Sequence, residues 1–280
     1  MINEENTTVI TYIDANYQEN LEYDFLPSLR KTAGYRGRII IIDYGIDSDR
    51  AIRLKEKYGV EIRRYAKDIS MFSIRYRHIA EIAESLNENI TTILITDSGD
   101  IWYQDSINTI FEQSENAISC VQEDRVVGED EWTSKCINNI PAEYKTEFLH
   151  MTRGSRVKNS GVICGNRNII IPMFKRIYMD IINCGVEFFG IDQLYFNYEW
   201  NRLNNVKKVI LDEIFNYVLV SHKDEYVISE NDKIVSVKKG IVAVVHNAGG
   251  NWRALKRPFV NKSENYEQYV IENVYKITDE

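Results

Sequence analysis

The spacing of apolar positions keeps changing along the first hundred residues. "TTVITYI" (Thr7–Ile13) is a short β-branched run and predicts a strand. In "NLEYDFLPSLRKTAG", Leu21, Phe25 and Leu29 recur every four positions, which predicts one face of a helix closed by Gly34, with Pro27 disturbing its regularity. "RIIIIDYG" is continuously apolar and ends in a turn, the mark of a strand buried on both faces. "DSDRAIRLKEKYG" predicts a polar helix with a glycine stop, "VEIRRY" a strand, and "SMFSIRYRHIAEIAESLNEN" a longer amphipathic helix. "TTILIT" predicts another buried strand, and "DSGD" stands at its carboxyl end.

Strand and helix therefore alternate, which predicts an α/β fold with a mostly parallel sheet and helices on both faces. Ligands in such sheets bind beyond the carboxyl ends of the strands. That rule picks out "DSGD" before any chemistry is considered.

The second half is less regular. "VQEDRVVGEDEWTSKCINNIPAEYKTEFLHMTRGSR" has no clean period and reads as loop with short helices. "KNSGVICGN" is strand-like, "RNIIIPMFKRIYMDIINCG" predicts a helix after Pro172, and "DQLYFNYEWNRL" predicts a second helix. "VKKVILD", "KIVSVKK" and "IVAVVH" predict late strands, and "SENYEQYVIENVYKI" an amphipathic C-terminal helix. With no repeat or linker, we expect one domain over 1–280. It comprises a first half (1–115), a second half (116–262) and a terminal helix (263–280).

The chain has 280 residues, 44% of them hydrophobic, enough for a large core. Lys+Arg 34 against Asp+Glu 42 gives a net charge of -8, which disfavours nucleic acid as a partner. Cys120, Cys136, Cys164 and Cys184 match neither zinc nor redox spacings and read as reduced thiols. "MINEENTTVI" is unlike a signal peptide, and no apolar run reaches the ~20 residues of a membrane span. The expectation is a cytoplasmic protein, with peripheral membrane contact left open.

Asp97 and Asp100 flank a Ser-Gly pair. Two carboxylates on a strand-end turn either face water or share a cation. Their hard oxygens suit Mg or Mn, which commonly bind through one or two carboxylates together with a substrate phosphate.

Four further stretches join "DSGD" in one order. "VITYIDANYQENLEYDFLPSLRK", "RYRHIAEIAE" before "ILITDSGDIW", "KNSGVICGN", "GIDQLYFN" and "VVHNAGGNW" together resemble the GT-A glycosyltransferases, most closely glycosyltransferase family 8, the glycogenin-like group. The resemblance implies a Rossmann-like GT-A fold and a nucleotide-sugar donor, with UDP-glucose or UDP-galactose expected. It also implies a glycan or protein acceptor, retention of anomeric configuration, and Mn2+ or Mg2+ as cofactor. The metal set it implies is Asp100, Asp97 and His246. Its nucleotide-binding segment corresponds to Thr11, Tyr12, Asn16 and Tyr17, joined by Arg77, Asp97, Ser98, Gly249 and Arg253. Arg75 competes with Arg77, and Lys256 is an alternative to Arg253. Asn159, Ser160, Gly161, Asp192 and Gln193 would line the donor sugar, with Asp192, Gln193 and Asn159 nearest the reacting centre.

The chain departs from the family in two places. The usual D-x-D is D-x-x-D here, so that either Asp97 or Ser98 takes the first position. The end of the terminal motif carries Arg253 and "LKRP" where the family has a lysine and a "KPW"-like end. A nucleotidyltransferase of related fold and a nucleotide-sugar-binding module without turnover stay open as alternatives.

Overall fold

The computed structural model describes residues 3–67, 69–248 and 254–255. Gly249, Arg253, Lys256 and the expected terminal helix lie outside the described residues. In chain order the strands are β1 (Thr7–Ile13), β2 (Arg38–Asp43), β3 (Glu61–Arg64), β4 (Thr92–Asp97), β5 (Ile101–Tyr103), β6 (Ile118–Val126), β7 (Arg156–Asn166), β8 (Lys208–Leu211), β9 (Tyr217–Val218), β10 (Tyr226–Ile228), β11 (Ile234–Ser236), β12 (Gly240–Ile241) and β13 (Val244–His246). The helices are α1 (Gln18–Asn20), α2 (Ser48–Tyr58), α3 (Met71–Ser85), α4 (Asn108–Ser114), α5 (Glu131–Asn138), α6 (Ala142–Thr152), α7 (Arg167–Cys184) and α8 (Ile191–Arg202).

A seven-stranded sheet runs β3-β2-β1-β4-β7-β6-β8. All its pairings are parallel except those of β7, which runs antiparallel to both β4 and β6. This is the expected mixed, mostly parallel sheet. The apolar runs of β1, β2 and β4 bury both faces because helices cover both. Ile10, Ile40, Ile42, Ile93 and Ile95 pack towards Ile74, Ile79, Phe174 and Ile177 of α3 and α7. Val9, Ile39, Ile41 and Leu94 point the other way, onto Leu21, Phe25, Leu29, Leu54 and Phe111. Fully burying one such side chain contributes about 1.5–3 kcal/mol, so these two layers dominate the stability.

Pro27 perturbs its helix as expected. The N–H groups of Leu26 and Ala33 bond to carbonyls five residues back, on Leu21 and Ser28. These wide turns accommodate a ring that lacks an N–H and crowds the preceding turn.

Three expectations are corrected. The stretch read as loop with short helices does hold two helices, α5 and α6, but it opens with the end of β6, which was not expected. Helix α7 begins at Arg167 rather than after Pro172, because Asn166 caps it by accepting from the Asn168 N–H. "IVAVVH" splits into β12 and β13, which belong to different small sheets.

The small sheet β5-β13-β9 positions the site. His246 pairs with Ile101 in β5, and the Asn247 N–H donates to the Asp100 carbonyl at 2.9 Å. Main-chain bonds thus place His246 beside the "DSGD" turn.

Candidate functional site

β4 ends at Asp97, and its last pairing with β7 is Thr96 with Val162. Since β7 runs the opposite way, its preceding residues Asn159–Gly161 continue past the end of β4. The reversed strand thereby brings its early residues to the same edge where β4 delivers its last one.

Asp97, Asp100 and His246 come together there, each offering one ligand atom, all within 4.8 Å of one another. His246 Nε2 lies 3.6 Å from Asp100 Oδ1 and 3.9 Å from Asp97 Oδ2. Burial pushes the Asp97 carboxyl up to about 7; Arg75 opposes this, Asp100 adds to it, His246 opposes it and Asp192 adds. Two carboxylates and an imidazole converging at a half-desolvated edge fit a divalent cation.

Ser98 does not join them. It is buried, and its hydroxyl donates to the Tyr12 carbonyl at 3.0 Å. Asp97, not Ser98, therefore stands beside Asp100 in this turn. Gly99 lets the turn press against the Tyr17 ring, since a β-carbon there would come within 3.1 Å of it. Tyr17 thus packs on the turn itself.

Arg75 is the arginine of the site. It lies two positions before Arg77, about 200° round the helix, so only one of the pair can face inward. Arg77 is on the exposed face and donates to Glu81 at 2.9 Å, so the expectation that it faces the diphosphate is corrected. Arg75 is buried. It donates to Asp97 Oδ1 at 3.1 Å and to the Asp192 carboxylate, with its guanidinium 4.5 Å from the centre of the Tyr12 ring. Burial alone would lower the Arg75 pKa, but Asp192, Tyr76 and Asp97 outweigh it and raise it above its ordinary value.

The other expected residues divide. Tyr12 is buried and donates its hydroxyl to Asp97. Thr11 is buried within the sheet, its hydroxyl donating to the Thr96 carbonyl at 2.7 Å, so its side chain is not presented to a ligand. Asn16 is exposed just beyond β1. Gln193 Oε1 accepts from the Ser160 N–H at 3.3 Å, which joins the start of α8 to β7. Asp192 is held by Arg75, and its backbone carbonyl accepts from the Tyr76 hydroxyl at 3.2 Å.

Asn159 is buried and largely occupied by the protein. It donates to Glu123 Oε1 at 2.8 Å, and its Oδ1 accepts from the Gly161 N–H at 2.8 Å and from Asn216 Nδ2 at 2.9 Å. One N–H remains of the hydrogen-bonding capacity expected for sugar hydroxyls. Glu123 and Asn216 escaped the sequence analysis. Glu123 falls in the stretch read as irregular, and Asn216 lies between "VKKVILD" and "KIVSVKK" with no motif around it.

No family model matches the chain, and no curated protein matches it. Among solved structures it is similar to an active-site mutant of LgtC, a family 8 glycosyltransferase, with a TM-score of 0.59 and 14% identity over 95% of each chain. At that identity the likeness carries the fold alone, and it spans nearly the whole of both molecules. The chain therefore has the GT-A fold.

Proposed function

We propose that this chain is a metal-dependent glycosyltransferase that moves a hexose from a nucleotide-diphosphate sugar, UDP-glucose or UDP-galactose, to a glycan or protein acceptor with retention. The observation that carries this reading is the convergence of Asp97, Asp100 and His246 at the carboxyl edge of a GT-A sheet. Bound there, Mn2+ or Mg2+ supplies Lewis-acid stabilisation of the negative charge that grows on the departing diphosphate.

The chain's own residues do the rest. Asp97 and Asp100 offer hard oxygens, and His246 Nε2 faces them. Arg75 ties Asp97 to Asp192, which fixes the distance between the cation ligands and the residue proposed to grip the sugar. Gln193, bound to Ser160, orients the other side of that grip. Asn16, exposed just beyond β1, would meet the nucleoside.

The test is thermal. Mn2+ with UDP raises the melting temperature of the wild-type chain, and Asp100→Asn abolishes the rise. A wild-type protein whose melting is unmoved by Mn2+ and any common nucleotide refutes the reading. Pyrophosphate release from a nucleoside triphosphate and a sugar phosphate would instead identify a nucleotidyltransferase. Binding with neither transfer nor donor hydrolysis would identify a binding module.

A further inference from the structure

A chain of buried polar groups leads away from the proposed cation site, and it has a direction. At its far end Glu123 accepts from Arg125 through Oε2, at 2.6 and 2.8 Å, and from Asn159 Nδ2 through Oε1. An ionised carboxylate can only accept, so the Asn159 group facing it must be the NH2. The other end of the same amide accepts from the Gly161 backbone N–H, which can only donate. Asn159 is therefore oriented by two partners whose roles are fixed. Its Oδ1 requires a donor from Asn216, and the Asn216 NH2 lies 2.9 Å away. The Asn216 Oδ1 is then turned to His246 Nδ1, 2.9 Å away. An amide oxygen only accepts, so Nδ1 must carry the hydrogen. In the neutral ring the lone pair is then on Nε2, the atom that faces Asp97 and Asp100.

We infer that Asn216 is a positioning residue: anchored through Asn159 to Glu123, it holds His246 in the Nδ1–H tautomer and aims the Nε2 lone pair at the two carboxylates. The inference rests on the cation-binding reading of the site and deepens it. Burial supports it, for Asn159, Asn216 and His246 are each at most 5% exposed and water does not compete for these bonds. Fit supports it as well. A β-carbon at Gly161 would lie 2.5 Å from His246 Cε1, so the ring is pressed onto the same strand segment that orients Asn159. The relay joins β6, β7, β13 and the turn before β9, and no local sequence window contains it.

The tautomer can be read without cation or nucleotide. The chain has 4 histidines. In histidine-labelled protein at alkaline pH, long-range proton–nitrogen NMR should show His246 with a protonated Nδ1 and a bare Nε2, its signals assigned by their loss in His246→Gln. A protonated Nε2 overturns the proposal. Asn216→Leu should abolish the tautomer preference and weaken Mn2+ binding, followed by paramagnetic resonance, about 10–100-fold. Asn216→Asp keeps an acceptor for Nδ1 and should restore the tautomer, but it gives up the NH2 that Asn159 Oδ1 requires, so it should melt below the wild type and regain only part of the affinity. If Asn216→Leu lowers the melting temperature while tautomer and Mn2+ affinity stay as they were, the residue is only structural and the proposal fails. Should the leucine variant not fold, the wild-type tautomer and the aspartate variant still decide. A wild-type Nδ1–H tautomer without Mn2+ binding would sink the glycosyltransferase reading and leave the tautomer assignment standing.

Discussion

Gly161 lies so close beneath His246 that a β-carbon added to the glycine would come within 2.5 Å of the ring's Cε1 and 2.9 Å of Nδ1. Ring and backbone share one place, and the glycine is what allows it. Gly161→Ala should therefore push the imidazole off its position, costing about 1–3 kcal/mol in stability through overpacking. Mn2+ affinity should fall by about tenfold, because the ring no longer points at the carboxylates. Denaturant unfolding and a Mn2+ titration check the two parts separately.

Arg75 neutralises two carboxylates at once, and removing it leaves both uncompensated. Arg75→Met should destabilise the protein by about 3 kcal/mol, the range found when one partner of a buried pair is lost. Because Asp97 is one of those carboxylates, Mn2+ should recover part of the loss in the variant. Unfolding curves with and without Mn2+ test this, and an equal loss in both would show that the cation does not engage Asp97.

The elevated Asp97 carboxyl has a pH signature with a definite sign. Its folded pKa, about 7, exceeds the ordinary carboxylate value, so between those two pH values the folded chain holds a proton that the unfolded chain has released. Stability of the metal-free protein should fall as pH rises through that window, then level off above it. Mn2+ must displace the same proton. Its affinity should therefore rise from pH 6 to pH 8, and calorimetry should show a proton released on binding at pH 6 that is largely gone at pH 8.5.

Ser98 and Asp97 should separate cleanly on mutation. Ser98→Ala removes one buried bond to the Tyr12 carbonyl, a loss of about 1 kcal/mol, and should leave the thermal shift with Mn2+ and UDP intact. Asp97→Asn should abolish most of that shift. The reverse result would return the first position of the motif to the serine.

The sheet was legible because β1, β2 and β4 are buried on both faces and so read as unbroken apolar runs. The end of β6 was not, because Glu123 and Arg125 put polar side chains into a strand whose partners were unknown. β5 has three residues, too short for any period to show, and β13 reads only as part of the longer run "IVAVVH". Periodicity placed both Arg75 and Arg77 on a helix but left its phase open, which only the packing of α3 against the sheet settles. The carboxylates and His246 were found through motif order. Asn216 and Glu123 were not, since an isolated polar residue reveals nothing until its partner across the fold is known.

The reversed direction of β7 also decides where the segment between β6 and β7 is attached. β6 finishes at Val126 and β7 starts at Arg156, and these two residues face each other on the ladder. Everything between them, α5 and α6 included, is an insert that leaves and rejoins the sheet at one rim and packs Cys136, Ile137, Ile140 and Phe148 against α8. Because α8 also carries Asp192 and Gln193, a change in the packing of that insert reaches the site through the helix it leans on.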